Sequence, residues 1–246
     1  MTALWGEIIV ADAAATDTIV GDWQPSLFAV AAGYEVTPIH SRDAYGLILR
    51  RHYARRIPSI SYAYGLILDG DLVGVCTYGT PASSTLCRGV CGDEWQQHVL
   101  ELNRLVLRDN RKNEASRLVA GSLRLLPKPS IVVSYADTAQ QHFGVVYQAA
   151  NFIYTGLSQR FVDPVVEGLE HQHHATFAHG LSNAQVIEKY GADRVRFVER
   201  ARKHRYVMFV GDRSQRRVMT AALRYQPQPY PKAVCNKVGL GELEHI

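Results

Sequence analysis

Glu101-Leu-Asn-Arg-Leu-Val-Leu107 is followed by Asn113-Glu-Ala-Ser-Arg-Leu-Val-Ala-Gly-Ser-Leu-Arg-Leu-Leu126, by Ile131-Val-Val-Ser-Tyr-Ala-Asp137 and by Gly144-Val-Val-Tyr-Gln-Ala-Ala-Asn-Phe-Ile-Tyr-Thr-Gly156. The first and third segments read as strands and each is followed by a helix. Both strands carry polar residues at their ends, where the chemistry of open α/β sheets collects. Strict alternation over 99–107 puts Leu100, Leu102, Arg104 and Val106 on one face and Val99, Glu101, Asn103, Leu105 and Leu107 on the other. One charged residue then points into each half-buried face. Asn113 is placed to cap a helix over 116–126 whose apolar side is Leu118, Val119, Leu123 and Leu126, and Pro127 and Pro129 stop it. Residues 131–135 read as a short buried strand and 143–150 as a short helix.

Upstream, residues 43–51 have helical spacing, and the runs 62–68 and 72–78 flank Asp69-Gly70-Asp71, a hairpin turn. A helix and an antiparallel pair therefore feed a strand, helix, strand, helix series, an order that fits an α+β fold better than a doubly wound one. No repeat or low-complexity tract interrupts the chain, and one compact unit is the simplest reading.

With 246 residues and 47% hydrophobic content, the chain has ample material for a packed core. No apolar run reaches the roughly 20 residues of a membrane helix, and the N-terminus lacks the pattern of a secretory signal, so a cytosolic protein is expected. Cys76, Cys87, Cys91 and Cys235 do not make a disulfide framework in a chain of this length, and no zinc site is assigned to them. The net charge of +4 conceals an asymmetry. Residues 1–40 hold five acidic residues and no Lys or Arg, whereas 194–232 hold eleven Lys or Arg against Glu199 and Asp212. Such a basic segment suits a polyanion such as nucleic acid, and equally a solvated face without a partner.

The element order, with a turn at 111–116 between strand and helix and a Tyr on the later helix, resembles the GNAT acetyltransferase superfamily. The Gly-rich turn usual there is replaced by Arg111-Lys-Asn-Glu-Ala-Ser116, which has no glycine. A narrower resemblance is carried by His52-Tyr53, Arg55-Arg56-Ile-Pro58, Glu101-Leu-Asn-Arg-Leu105, Ser134-Tyr-Ala-Asp137, Tyr147-Gln-Ala-Ala-Asn-Phe-Ile-Tyr-Thr-Gly156, His204-Arg-Tyr206 and Pro229-Tyr-Pro-Lys232. Together these look like the Mom family of phage DNA adenine modification proteins, over roughly residues 40–232. That family is GNAT-like and attaches a carbamoylmethyl group to the exocyclic amine of adenine, which blocks host restriction enzymes. The resemblance thus implies a GNAT-like mixed, mostly antiparallel sheet flanked by helices, over 41–246, after an acidic N-terminal extension at 1–40. It implies a DNA-modifying acyltransferase of the host-cell cytoplasm.

Adenine's exocyclic amine is a weak nucleophile, so acyl transfer to it needs a proton acceptor close to the nitrogen. Asp137, at the end of a buried strand, is the first candidate; its structural alternative is the cap of the following turn. Tyr147 is placed to protonate a leaving group or orient the donor, or else is a core aromatic. Ser134 adds a hydroxyl. Arg104 is either a fork for a phosphate, carboxylate or base edge, or one half of an ion pair with Glu101 or Asp137. His52 and Tyr53 suit an extruded adenine, or His52 simply meets a helix dipole.

Asn113, Glu114, Ala115 and Ser116 begin a helix whose amides suit an anionic donor. The donor is acetyl-CoA by the superfamily's habit. Glycyl-tRNA is the rival, because a carbamoylmethyl group has the atoms of glycinamide. His171, His173, His174 and His179 match no metal-ligand spacing; iron would suit an oxidative step, but no site for it is evident. Arg202, Lys203, Arg205, Arg213, Arg216 and Arg217 flank a strand at 206–210 and read as phosphate contacts. The partners implied are double-stranded DNA and, with a glycyl donor, an aminoacyl-tRNA; a homodimer is left open. The rival functions are an ordinary N-acetyltransferase acting on a protein or small amine, and a catalytically dead DNA-binding module.

Overall fold

The computed structural model describes residues 33–232 except 54, 171, 173 and 179. The acidic residues Glu7, Asp12, Asp17 and Asp22, Cys235, and His171, His173 and His179 lie outside the described residues. The strands are β1 (Tyr34–Pro38), β2 (Tyr62–Leu68), β3 (Asp71–Gly79), β4 (Val99–Leu107), β5 (Ser130–Asp137), β6 (Ile153–Leu157), β7 (Val162–Val166), β8 (Val195–Glu199) and β9 (Lys203–Val210). The helices are α1 (Ser41–Arg51), α2 (Ser84–Cys91), α3 (Glu114–Leu125), α4 (Val145–Ala149), α5 (His174–Phe177), α6 (Asn183–Tyr190) and α7 (Arg213–Ala222). Seven strands stand in the order β1-β2-β3-β4-β5-β9-β6, and β7 with β8 forms a second sheet. The strand pairs β1·β2, β2·β3, β3·β4, β6·β9 and β7·β8 are antiparallel, so the expected α+β class is observed.

The chain divides into two compact units, Met1–Val132 with Phe209–Ala222 and Val133–Met208 with Leu223–Ile246. In the first, β1 to β4 form a meander with a helix on each face. The Asp69-Gly70 turn joins β2 to β3, with φ of 51° and 89° at its two residues, the positive values an Asp-Gly hairpin turn requires. On one face α1 packs Ala44, Leu47 and Ile48 against Val75 and Val106, helped by Ile57 and Ile60. On the other face α3 buries Leu118, Val119 and Leu123, and the Tyr78 and Ser122 hydroxyls meet at 2.6 Å. Close approach of α3 to β1 needs Gly121, where a Cβ would sit 2.7 Å from Val36. Tyr34–Pro38, inside the stretch read as an extension, is thus a paired strand. The second unit contains the β6·β9 pair, α4, and the β7·β8 sheet with α5 and α6.

Two local expectations are corrected. β4 does not alternate strictly: Thr77 pairs with Arg104 but Tyr78 pairs with Leu102, so Asn103 is an extra residue, a β-bulge. Thr77 and Gly79 share one face, and so do their partners Arg104 and Glu101; the two charges lie on the α1 side instead of on opposite faces. Asn113 does not cap α3 with its side chain. It sits in the left-handed region at φ 65°, which Asn tolerates, and no side-chain cap bond is made.

Candidate active site

In the first unit, the bulge assembles a polar cluster on the α1 face. The Asn103 carboxamide accepts the Thr77 hydroxyl at 2.6 Å and donates to the Ser59 carbonyl at 2.8 Å. Beside it the Arg104 guanidinium donates Nε and Nη2 to the Arg56 carbonyl at 3.3 and 3.0 Å, and Nη1 to the Asn103 carbonyl at 2.5 Å. The guanidinium's hydrogen bonds go to neutral carbonyls, which orient the cation, while Glu101 acts on it through its charge. Each Nη keeps a second N–H, so the outer edge of the fork still offers two parallel donors. Burial lowers the Arg104 pKa, while the Tyr53 hydroxyl raises it, Arg56 lowers it and Glu101 raises it.

Those influences place Tyr53, Arg56 and Glu101 around Arg104. His52 ends α1, its amide still donating to Ile48 O at 3.1 Å. Its ring stacks on Tyr53 at 4.4 Å between centroids and 28° between planes, and Tyr53 is 57% exposed. His52, Tyr53 and Arg104, which the sequence offered as separate candidates, thus lie in one region of the first unit. Sequence reasoning missed Asn103, Thr77 and Ser59, whose signal was an Asn-Arg pair inside an apolar strand.

In the second unit, Asp137 closes β5. Its Oδ1 accepts the Ala139 amide at 3.0 Å, capping the 3-10 turn Thr138–Gln140, and Oδ2 lies 3.6 Å from Lys203 Nζ. The side chain is 17% exposed. Both the capping alternative and an electrostatic partner are thus present, the latter being Lys203. The Thr138 hydroxyl donates to Arg202 O at 2.6 Å, fixing the turn to the start of β9. Ser134 is buried in mid-strand.

Tyr147, on α4, belongs to an aromatic cluster. Its ring is 5.4 Å from both Phe152 and Tyr206. Tyr206 donates its hydroxyl to Phe143 O and accepts from Gln148 Nε2 at 3.1 Å, while burial pushes its pKa up to about 12. Tyr154 meets His204 Nδ1 at 2.8 Å, and burial lowers the His204 pKa. Gly144 enters α4 at φ 71°, where a Cβ would meet the Tyr206 ring at 2.4 Å, so the cluster needs a glycine there.

Of the cations read as phosphate contacts, Arg202 and Arg205 tie β9 to β6. Arg202 Nε donates to Ser158 O at 2.7 Å, and Arg205 donates to Thr155 Oγ1 and O at 2.9 and 3.1 Å while stacking on Tyr225 at 3.4 Å. Arg213, Arg216 and Arg217 lie in the first unit on α7, whose buried residue is Met219.

At the turn expected to hold a donor, Glu114 is turned inward and only 2% exposed. Oε1 accepts the Tyr34 hydroxyl and Oε2 the Arg111 amide, both at 2.8 Å. Its carboxylate thus occupies the Arg111 amide, one of the donors that the turn would otherwise offer to an anion. Among the described residues, no three His, Cys, Asp or Glu side chains converge as a metal site. None of the described helices is long and apolar enough to cross a membrane.

Among solved structures similar to the chain are a GNAT-family acetyltransferase from Bacillus cereus ATCC 10987, 13% identical over 72% of this chain and 96% of that one, with a TM-score of 0.37. Another is YncA, a putative acetyltransferase from Salmonella typhimurium solved with acetyl-CoA, 9% identical over 74% and 96%, with a TM-score of 0.42. In sequence, the methylcarbamoylase Mom of Escherichia phage Mu is 31% identical over 193 residues, 76% of this chain and 78% of that protein. The family model of the Mom proteins matches residues 33–232, and the chain belongs to that family.

Proposed function

We propose that this chain modifies phage DNA by acyl transfer to the exocyclic amine of adenine in the host cytoplasm, ending in a carbamoylmethyl group that blocks restriction. Family membership supports the reaction class. The observation that carries the site is the Asp137 carboxylate, held at a strand end by one amide and facing one ammonium. In this reading Asp137 accepts the proton of the attacking amine. Tyr147 orients the donor or protonates the leaving oxygen. The outer edge of Arg104 binds an anion, and His52 with Tyr53 stacks on the flipped base. Ser134 supports β5 from within. Of the first-turn residues Asn113 to Ser116, the amides of Ala115 and Ser116 would face the donor.

A glycyl ester, such as glycyl-tRNA, is the donor in this reading, because a carbamoylmethyl group has the atoms of glycinamide. The chemistry then balances without an oxidant or an iron centre. The exocyclic nitrogen bonds to the glycyl carbonyl carbon, the ester C–O bond breaks, and the tRNA oxygen leaves with a proton. The glycyl amine next adds to the ring carbon that bears the exocyclic nitrogen. The original C–N bond breaks and that nitrogen departs as the carboxamide. A carbamoylmethyl amine remains on the ring, with the glycine nitrogen attached to it.

The test is mass spectrometry of nucleosides from cells fed glycine carrying a heavy nitrogen isotope. The expected product is a heavier deoxyadenosine with the label on the ring-attached nitrogen. It should fall by about a hundredfold or more with Asp137→Ala, the usual weight of a general base. Modified base without label would sink the glycyl donor. Unmodified DNA with soluble protein would instead support an ordinary N-acetyltransferase or a binding module.

A further inference from the structure

The β7·β8 sheet is a two-stranded arm that continues the β6·β9 pair outward. Beyond Leu157 paired with His204, the Ser158 amide donates to Lys203 O at 2.8 Å, and the Arg200 amide to Phe161 O at 2.8 Å. Pairing then runs from Val162·Glu199 to Val166·Val195. The arm is rooted beside Asp137, through the Lys203 ion pair and the Thr138 bond to Arg202 O.

The two faces of the arm differ. Val166 and Val195 pack against Phe177, Ala178 and Val186 of the α5–α6 region, which covers one face. By register the opposite face carries Asp163, Val165, Val198 and Arg196, extended by the Phe161·Arg200 pair. It is exposed, with Phe161 at 52% and Val198 at 42%. Its one acid is already engaged: Arg200 grips Asp163 with Nε at 2.7 Å and Nη2 at 2.6 Å, and lies 5.8 Å from the Phe161 ring centroid. Arg196 has no ion-pair partner among the described residues. What the face offers is a net positive charge interleaved with apolar and aromatic surface.

We infer that this open face of the β7·β8 arm is a docking surface for double-stranded DNA, with Arg196 on a phosphate and Phe161 and Val198 against the groove wall. The inference rests on the DNA-modification reading and extends it to where the duplex lies. Duplex DNA fits better than a second copy of the chain, because a copy would bring the same cations against themselves, whereas a phosphate backbone complements them. A two-stranded ribbon is also of a size that enters a groove. The root at Asp137 puts the carboxylate beside DNA held along the arm.

The test uses the purified full chain and a short fluorescein-labelled duplex titrated over a salt series. Beside it stand light-scattering masses and nucleoside analysis of DNA from expressing cells. Arg196→Ala should weaken binding about tenfold near 0.1 M salt and lower the log–log salt slope by about 0.9, one phosphate's worth. Arg196→Lys should restore the slope, and Val198→Asp, with thermal unfolding unchanged, should weaken binding further than Arg196→Ala. If both variants bind like the parent while cellular DNA carries the modified base, the arm proposal falls and the DNA-modification reading stands. If the variants instead split a dimer and leave DNA binding intact, the face belongs to a second copy and the proposal is overturned. A parent that neither binds duplex nor alters nucleosides overturns both.

Discussion

The β1–β4 meander and the β7·β8 arm are both antiparallel, and they differ in how many faces are covered. The meander has α1 on one face and α3 on the other, and its polar side chains are drawn into bonds with one another or with backbone. The arm has helices on one face, and its other face leaves Phe161, Val198 and Arg196 at the surface. Identical ladder physics thus yields two kinds of residue. Between two layers a polar side chain is drawn into bonds with its surroundings, since an unsatisfied group there is costly. On a single-layered strand it stays available to a partner.

The contrast is broken most severely at Gly79, where a Cβ would lie 2.0 Å from the Ser59 carbonyl oxygen. Gly79→Ala should destabilise the chain by about 3 kcal/mol in urea titrations, the upper range for overpacking. An unchanged midpoint would show that the loop over the bulge is not packed as described. Asn103→Ala removes both partners of the bulge network and leaves the Ser59 carbonyl and Thr77 hydroxyl unmatched. A loss of about 2 kcal/mol is expected. Asn103→Asp would sharpen the result, because it keeps the acceptor for Thr77 and removes the donor to Ser59.

A smaller effect is expected from pH at the root of the arm. His204 is buried, and burial holds its pKa below the ordinary imidazole value of 6.5. Above that value both folded and unfolded chains carry a neutral imidazole. As pH falls through it, the unfolded chain takes up a proton that the folded chain resists, so stability declines. Between about pH 7.5 and 5.5 the melting temperature should fall less in His204→Phe than in the parent. Equal slopes would remove His204 as the cause. Smallest of all is Val198→Thr on the arm, which should shift stability by no more than about 0.5 kcal/mol, as for other surface positions.

Much of the meander was legible in sequence because its signals are local. Asp69-Gly70 specified the hairpin, the apolar run over 99–107 gave β4 its bounds, and Pro127 ended α3 one residue before the expected stop. The bulge was not legible, since an extra residue in one strand is defined only by the register of its neighbour. Asn113 had the composition of an N-cap, but Glu114 turns inward to Tyr34 and Arg111, a contact spanning eighty positions for the tyrosine. Periodicity over a single segment does not contain such a contact. For the site, His52, Tyr53 and Arg104 were legible as separate candidates, and their nearness depends on the fold that brings the end of α1 to β4. Lys203 was read only for its charge, and its pairing with Asp137 depends on β9 returning beside the end of β5. The arm escaped notice because Phe161, Val162, Phe197 and Val198 look like core residues until their exposure is known.

The meeting of Ser158 with Lys203 at 2.8 Å makes the segment between them a topological insertion. Its two ends leave and re-enter adjacent strands, as the ends of a hairpin loop do, so a tight turn joining β6 directly to β9 would preserve the ladder on both sides. Closing a loop of roughly forty residues costs only a few kcal/mol more than closing a short one, because the entropy grows with the logarithm of length. The segment can therefore be lengthened, exchanged or removed at modest thermodynamic cost to the pair that bears it. Sequence variation can accumulate there as a cassette, while the β6·β9 ladder that bears it keeps its register.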